Sequence, residues 1–196
     1  MKLFKKLLLV TISFLFLLFL FLCLKYIRWQ KTFKSENTSL VCSSNFNEEN
    51  FDIDEKIEKF IISDSKSEFI VFSREEAGSL LIDNIQNPES IEISDMCIST
   101  KQSMWTVYLK YRVGRINMPW ILLDIAKDNR ESAEIYIKDI NLGNLKIPTF
   151  IRKNILVNIN KGIADAIILV NENRFLGREI RNIELLEDKV VIKGVM

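Results

Sequence analysis

The sequence predicts an α+β protein in which an N-terminal single transmembrane helix precedes a curved antiparallel β-sheet wrapped around one long amphipathic helix. Three patterns carry this prediction. An uncharged apolar run extends from Leu7 to Leu24, a period of two prevails over Ser90–Pro148, and isoleucines recur every four residues within Thr149–Val170. The 196 residues suffice for one soluble domain beside one short extra segment, so two large domains are excluded.

The apolar run, LLLVTISFLFLLFLFLCL, is long enough to cross a bilayer. As a helix its 18 residues reach about 27 Å, close to the thickness of the hydrocarbon core. Residues 1–6 then form a basic cytoplasmic tail, and Tyr26 and Trp29 suit the membrane–water interface. A cleaved signal peptide is the competing interpretation. It fits less well, because the run is long and Ala77 is the first alanine of the chain, whereas signal peptidase requires small residues.

Charge does not decide the orientation of this helix. Three lysines precede it and four basic residues follow it within ten positions, so the positive-inside rule does not discriminate. Because the run is the first and single apolar segment, we expect a signal anchor with a cytoplasmic amino terminus. The predicted location is therefore the cell membrane, single-pass, with the main domain extracytoplasmic.

Two cysteines, Cys42 and Cys97, lie outside the apolar run. In an exported domain two thiols are usually paired, and a bridge would close a loop of about 55 residues. Two unrelated buried thiols are the alternative, and the sequence leaves both open. Cys23 lies within the apolar run and is expected to be a small lipid-facing or packed residue.

Residues 25–50 are predicted to be a tether, because Ser, Asn and charged residues dominate this stretch. The extracytoplasmic α+β domain is placed at residues 51–196. Its first helix is predicted over Asp52–Ile62, where apolar side chains recur at helical spacing.

The next unit is a strand that leads directly into a helix. Phe69–Phe72 has strand composition, and Ser73 and Glu76 have the spacing of a capping box. Alternating apolar and polar residues over Ser90–Pro148 then predict an antiparallel meander, with a bulge near Lys138.

A long helix is predicted over Thr149–Val170, with isoleucines on one side and mainly polar residues on the other. Two strands, Arg174–Leu186 and Lys189–Val195, complete the domain. The helix is expected to lie in the concave face of the sheet, so that apolar residues of both elements line a groove for a lipid or another apolar ligand. The predicted groove residues are Trp105, Tyr111, Trp120, Leu122, Ile151, Ile155, Ile159 and Ile163.

Composition excludes several function classes. The absence of histidine excludes Ser-His-Asp and Cys-His catalysis and histidine-ligated zinc or haem. The six glycines do not occur at Walker-loop or dinucleotide-fingerprint spacing, so no cofactor is expected. The first 34 residues hold seven of the 27 basic side chains and no acid, which leaves a formal charge of −6 for the rest and argues against nucleic acid. No catalytic residue or metal site is assigned, and we expect a protein that is not an enzyme.

The segment LGNLKIPTFIRKNIL, Leu142–Leu156, resembles the YpmS-like family of uncharacterised membrane-anchored bacterial proteins. The matching positions are Gly143, Leu145 and Pro148, in a pattern of apolar strand, Gly-x-Leu-x-x-Pro turn and amphipathic helix. The order of elements over Phe69–Gly194 is similar as well. The resemblance implies an exported domain like the lipid-binding tubular folds, and it supplies no catalytic residues.

Two functions follow as hypotheses. The first is a membrane-anchored extracytoplasmic protein that binds a lipid or other apolar ligand between sheet and long helix, because 13 Phe, three Trp and the isoleucine row exceed what a thin domain must bury. The second is a non-enzymatic structural or protein-interaction module of the cell envelope, since an isoleucine stripe over a sheet is first of all core. The expected partners are the membrane, a lipid and envelope proteins.

Overall fold

The computed structural model describes residues 2–36, 39–46, 52–84, 91–101, 104–127, 132–172 and 177–196. Within these residues the helices are α1 (Lys2–Glu36), α2 (Ile53–Ile62), α3 (Arg74–Asn84) and α4 (Thr149–Glu172). The strands are β1 (Val41–Cys42), β2 (Ser67–Ser73), β3 (Ile91–Lys101), β4 (Met104–Val113), β5 (Ile116–Asn117), β6 (Ile121–Ala126), β7 (Tyr136–Leu142), β8 (Leu145–Lys146), β9 (Glu179–Leu185) and β10 (Lys189–Val195). The predicted α+β class is confirmed.

Helix α1 runs without interruption through the predicted membrane span and beyond it. Its 35 residues reach about 52 Å, because each residue adds about 1.5 Å. The large side chains of the apolar run are exposed, and α1 is long and apolar enough to cross a membrane. The helix continues from Leu24 to Glu36 because no glycine or proline interrupts it there.

The tether predicted over residues 25–50 is wrong for most of its described part. Lys25–Glu36 belong to α1, β1 pairs with β3, and Phe46 is buried in the main core. Composition misled this prediction, because the apolar side chains of the segment are few but are spaced along one helical face. Residues 37, 38 and 47–50 lie outside the described residues.

The larger sheet contains the predicted antiparallel meander and, as far as the chain is described, has seven strands. Its order is β1-β3-β4-β6-β7-β8, and the short β5 pairs with β4. Asp124 and Ile125 of β6 pair with Asp139 and Ile137 of β7, so Lys138 is the extra residue of a bulge. The bulge predicted near Lys138 is therefore confirmed.

A smaller sheet, which the sequence did not predict as separate, joins strands from both ends of the domain. Its order is β2-β10-β9, with antiparallel pairs throughout. The two predicted closing strands are thus confirmed as β9, which is described from Glu179, and β10. Strand β10 pairs with β2 across more than a hundred residues, and β9 pairs with β10. Residues 174–176 of the first predicted strand lie outside the described residues. Ile70, Phe72 and Ile192 on one face of this sheet pack against α2 and α3. The main core consists of Met96, Ile98, Trp105, Val107 and Leu109 of the larger sheet with apolar residues of α3, β9 and β10.

Helix α3 begins with the predicted capping box. The amide nitrogen of Glu76 donates to Oγ of Ser73 at 3.2 Å, and the amide nitrogen of Ser73 donates to Oε2 of Glu76 at 2.8 Å. The buried carboxylate of Glu76 also accepts hydrogen bonds from Nζ of Lys56, at 2.7 Å to each oxygen. This arrangement fastens α2 to the start of α3.

Helix α4 has the predicted span but packs at an edge, against β7 and β9. The side chain of Asn160 accepts a hydrogen bond from the amide of Ile137 at 2.7 Å and donates one to its carbonyl at 2.9 Å. The side-chain amide thus bonds the free edge of β7 as a neighbouring strand would. Arg152 adds an ion pair to Asp139 at 2.9 Å. In the described part of the chain the sheets are neither closed nor curled around α4, so a single sheet wrapped around this helix is not confirmed.

Candidate functional site

An aromatic cluster fastens the end of α1 to the face of the larger sheet opposite the main core. We call this cluster the junction; it consists of Tyr26, Trp29, Phe33, Tyr108 and Trp120. The first three residues are spaced by three and four positions and therefore lie on one helical face. The ring centroid of Phe33 lies 4.7 Å from Trp29, 5.1 Å from Trp120 and 5.7 Å from Tyr108. Phe33 is only 2 % exposed, so α1 is part of the folded core.

The β7–β8 turn closes the junction at the end nearest the apolar run. The hydroxyl of Tyr26 accepts a hydrogen bond from the amide of Trp120 at 2.9 Å, and the amide of Gly143 donates to the Trp120 carbonyl at 2.8 Å. Gly143 has φ +55°, and a Cβ there would lie 2.7 Å from the ring of Tyr26 and 2.8 Å from that of Trp29. Glycine is required for both reasons.

A disulfide between Cys42 and Cys97 ties β1 to β3 beside the junction. The pairing that the sequence left open is therefore present. Cys97 is fully buried and packs in the same cluster as Phe33. The bridge joins positions 55 residues apart, so it connects the chain just after α1 to strand β3 of the larger sheet.

Removing this bridge by replacing both Cys42 and Cys97 with Ala is expected to lower the free energy of unfolding by about 2–4 kcal/mol, because the unfolded chain regains the entropy of the open loop. Urea unfolding of the full chain in detergent measures the change. Cys23→Ala is the matched control, since Cys23 forms no bridge. A double variant as stable as this control would contradict the prediction.

The predicted groove residues of the sheet lie on two opposite faces. Trp105 is in the main core, where its indole Nε1 donates to the carbonyl of Leu186 at 2.7 Å. Tyr111 packs against the same core, and burial raises the pKa of its hydroxyl. Trp120 and Leu122 lie in the cluster on the other face, with the end of α1. These four residues therefore do not line one groove, because neighbouring strand positions alternate between faces.

The four predicted isoleucines of α4 face neither tryptophan. Ile155, Ile159 and Ile163 are partly buried, and Ile151 is 43 % exposed. Helix α4 packs on β7 and β9, whereas the predicted sheet residues belong to β4, to β6 and to the position directly before β6. The structure does not bring the eight predicted residues together, because the bonds of Asn160 hold the helix at the sheet edge.

Two open hollows border α4 instead. The first, of about 420 Å³, lies between the C-terminal half of α4, the segment Ser132–Ile135 that precedes β7, and the start of β9. Its apolar lining consists of Ala133, Ile135, Ala164, Ile167, Ile168 and Ile180. The second, of about 530 Å³, lies beside the N-terminal half and combines Leu156 and Val157 with Lys138, Arg152 and Lys153. Both volumes fall in the range of about 300–1,000 Å³ that is typical of ligand pockets.

A third hollow, of about 690 Å³, lies between α2 and β2. Its buried carboxylate, Glu76, is paired with Lys56, which also donates to the carbonyl of Val71 at 3.2 Å. These charges neutralise each other and belong to the capping of α3. The hollow is therefore better explained by the packing of α2 than by catalysis.

The described residues hold no group of three or more His, Cys, Asp or Glu side chains placed to bind a metal ion. Burial lowers the pKa of Lys127, whose ammonium donates to the side-chain oxygen of Asn182 and to the carbonyl of Ile183 at 2.6 Å. Both acceptors are neutral. Lys127 therefore links the end of β6 to β9.

Two important positions were missed in the sequence. Phe33 was assigned to a tether, although its spacing from Tyr26 and Trp29 is the signal of a docked helical face. Asn160 was passed over among the isoleucines of α4. A polar residue on an apolar helical stripe is a signal of a specific hydrogen-bond partner, which is Ile137 here.

Comparison with known proteins finds no family model, no curated protein and no solved structure that matches this chain. The resemblance of Leu142–Leu156 to the YpmS-like family therefore stays a prediction. The junction and the hollows along α4 are the features on which a function can be argued.

Proposed function

We propose that this protein is a single-pass membrane-anchored, non-enzymatic module that binds a lipid through its acyl chain. Helix α1 is the anchor at the cell membrane, and the domain that follows it is extracytoplasmic. The binding place is the hollow of about 420 Å³ between α4, the segment Ser132–Ile135 and β9. That apolar hollow beside the long helix is the single observation that carries the proposal, and it takes the place of a groove inside a wrapped sheet.

The lining of this hollow suits an acyl chain. Aliphatic side chains from α4, from β9 and from the segment before β7 line the hollow. The small side chains of Ala133 and Ala164 leave space in it for an acyl chain. Glu179 and Arg181 lie at its border and form an exposed ion pair at 3.6 Å. A lipid tail that leaves water here gains roughly 25 cal/mol per Å² of buried apolar surface. The polar border lets a headgroup remain in water.

The disulfide supports an extracytoplasmic domain. Disulfides form and persist in oxidising compartments and are rare in cytosolic proteins. The Cys42–Cys97 bridge lies in the part of the chain that follows α1. A cytoplasmic amino terminus, a membrane-crossing α1 and an exported domain are consistent with this chemistry.

Replacing Ala164 with Trp is expected to abolish lipid binding, because the indole fills the hollow. Ala164 is exposed, so the variant should keep its stability within about 0.5 kcal/mol. Ala166→Trp is the matched control: it places the same side chain two positions away on an exposed part of α4 that does not line the hollow. Native mass spectrometry of the full chain, released from mild detergent, with lipid extraction, measures bound lipid.

The expected result is one lipid on the wild type and on Ala166→Trp, and none on Ala164→Trp. A wild-type chain that carries no lipid when released gently from its own membrane would contradict the proposal. Equal lipid occupancy of the two tryptophan variants would show that lipid binds elsewhere.

A protein-interaction module of the cell envelope is the second candidate function. It is favoured by exposed apolar side chains on β2, an edge strand of the smaller sheet: Phe69 is 54 % and Val71 is 41 % exposed. A photo-crosslinking residue at Phe69, activated in intact cells, tests this alternative. A single crosslinked envelope protein, together with a lipid-free wild type, would favour it over lipid binding.

A further inference from the structure

We infer that residues 142–153, which we call the rim, contact the surface of an anionic phospholipid bilayer, the one that α1 crosses. The rim comprises the end of β7, the β7–β8 turn, β8 and the first residues of α4. This inference rests on the membrane-crossing role proposed for α1. It is independent of the lipid proposed to bind beside α4.

The contacts between α1 and the larger sheet show which strands lie nearest to the apolar run and which lie farther from it. Beside the run, Nδ2 of Asn144 in the β7–β8 turn donates to the carbonyl of Lys25 at 3.5 Å. Further along α1, Lys34 forms an ion pair with Asp95 of β3 at 2.8 Å. Nine helical residues rise about 13 Å, and the three strand spacings from β7 through β6 and β4 to β3 span about 14 Å. The axis of α1 therefore follows the hydrogen-bonding direction of the sheet.

This direction places the β7–β8 edge of the larger sheet nearest to the bilayer. Strand β8 lies beyond β7 in the sheet order, so this part of the rim is one strand closer to the membrane than β7. The adjoining turn is at the level of Lys25 and Tyr26, directly after the apolar run ends at Leu24. Aromatic and basic side chains at this level are typical of the membrane–water interface.

The rim carries the side chains that a lipid surface accepts. Phe150 is 75 %, Ile151 43 % and Leu142 37 % exposed, and their exposure to water has no benefit for the isolated domain. Lys146 and Lys153 are exposed beside them. The rim sequence, LGNLKIPTFIRK, has three basic residues and no acidic residue. Apolar side chains among basic ones are the pattern of a segment that binds anionic lipid.

The charge of the rim favours an anionic bilayer over a second copy of the chain as the partner of this surface. Residues 35–196 are acidic on balance, with 20 basic and 26 acidic side chains, yet the rim has no acidic residue. Of its three basic residues Arg152 is paired with Asp139, which leaves Lys146 and Lys153 as its exposed charges. Two rims placed face to face would repel each other, whereas anionic headgroups attract each of them. The domain thus sits on the membrane through two connections, α1 and the rim.

Site-directed spin labelling of the full chain in bilayers tests the inference. Each variant carries one nitroxide in a Cys23→Ser background with the Cys42–Cys97 bridge intact. Phe150→Cys reports the rim, and Phe69→Cys, 54 % exposed on β2, is the matched control on the strand of the smaller sheet farthest from β9. Leu15→Cys reports the membrane span of α1. Collisions with oxygen, which concentrates in lipid, are compared with collisions with a water-soluble nickel chelate.

In bilayers that contain phosphatidylglycerol we expect the labels at Leu15 and Phe150 to lose nickel accessibility and gain oxygen accessibility, while the label at Phe69 stays water-accessible. A water-accessible label at Phe150, together with a lipid-accessible label at Leu15, would overturn the inference that the rim contacts the bilayer. A water-accessible Leu15 label would overturn the membrane span itself. Spin–spin broadening between Phe150 labels would show a second copy on the rim and overturn the bilayer as its occupant.

A charge reversal tests the anionic preference separately. Lys146→Glu combined with Lys153→Glu changes two exposed side chains, so the fold is retained. The label at Phe150 is then expected to regain nickel accessibility, as it should in bilayers of phosphatidylcholine alone. An unchanged reading in both experiments would overturn the anionic character of the partner.

Discussion

Replacing Phe33 with alanine is expected to lower the free energy of unfolding by about 3–5 kcal/mol. The side chain is 2 % exposed, and its ring lies against the rings of Trp29, Tyr108 and Trp120. Truncation removes apolar contact and leaves a cavity between a helix and a sheet. Tyr108 and Trp120 are held by the sheet and by the hydrogen bond to Tyr26, so they cannot close it.

Urea unfolding of the full chain in detergent micelles, followed by near-ultraviolet circular dichroism, measures this effect. Phe16→Ala is the matched control, since Phe16 is 62 % exposed in the apolar run of the same helix. It should leave the unfolding of the domain unchanged, and Phe33→Leu should cost less than about 1.5 kcal/mol. Equal midpoints for Phe33→Ala and Phe16→Ala would mean that the junction does not contribute to the folded domain.

A docked junction changes what the anchor does for the domain. A flexible tether would let the domain take any orientation above the membrane. With Phe33 in the core, the helix that enters the bilayer and the sheet that carries the rim move as one body. The label at Phe150 should therefore lose part of its lipid contact in Phe33→Ala, although the rim itself is unchanged.

Local patterns predicted the fold well wherever neighbours in sequence become neighbours in space. The capping box of Ser73 and Glu76 depends on four consecutive residues, and both of its hydrogen bonds are formed. The bulge at Lys138 could be predicted because the alternation of apolar side chains changes phase there. The meander from β3 to β7 follows from short turns between successive strands.

Long-range pairing could not be predicted in the same way. Phe72 of β2 pairs with Val190 of β10, more than a hundred residues later, and no local pattern names that partner. The place of α4 depends on one amide side chain, Asn160, that bonds to Ile137. An isoleucine stripe shows that a helix is packed, but it does not show against which strand it packs.

In the candidate site, too, local properties could be predicted from the sequence and long-range packing could not. Trp105 and Trp120 were predicted to line one groove with α4, and each is 2 % exposed. They lie on opposite faces of the sheet, because one packs in the main core and the other under α1. The type of a residue indicates that it is buried. Whether two residues line the same groove depends on the register in which their elements pack, and the periodicity of the sequence does not determine that register.

Arg178 is a second buried residue on which a whole element depends. Its side chain is 1 % exposed, Nε donates to the carbonyl of Phe60 at 2.7 Å, and Nη1 donates to that of Ser65 at 2.9 Å. Nη2 donates to the carbonyl of Ser63. These carbonyls end α2 or follow it, where a helix leaves acceptors unpaired and presents the negative end of its dipole. One guanidinium therefore fastens α2 to the start of β9.

Replacing Arg178 with methionine is expected to lower the free energy of unfolding by about 3–5 kcal/mol, because each buried carbonyl left without a donor costs about 1–3 kcal/mol. Methionine keeps most of the length of the side chain, so the loss reports the hydrogen bonds more than a cavity. The free energy of unfolding of Arg178→Lys should fall between those of the wild type and Arg178→Met, because one ammonium group cannot reach three carbonyls as the planar guanidinium does. Arg181→Met is the matched control: Arg181 is exposed in β9 and its ion pair to Glu179 spans 3.6 Å, so the change should stay within about 0.5 kcal/mol. Urea unfolding of the three variants measures all of these values. Equal free energies of unfolding for Arg178→Met and Arg181→Met would contradict the prediction. Apolar packing of Phe60 would then hold α2 in place without the guanidinium.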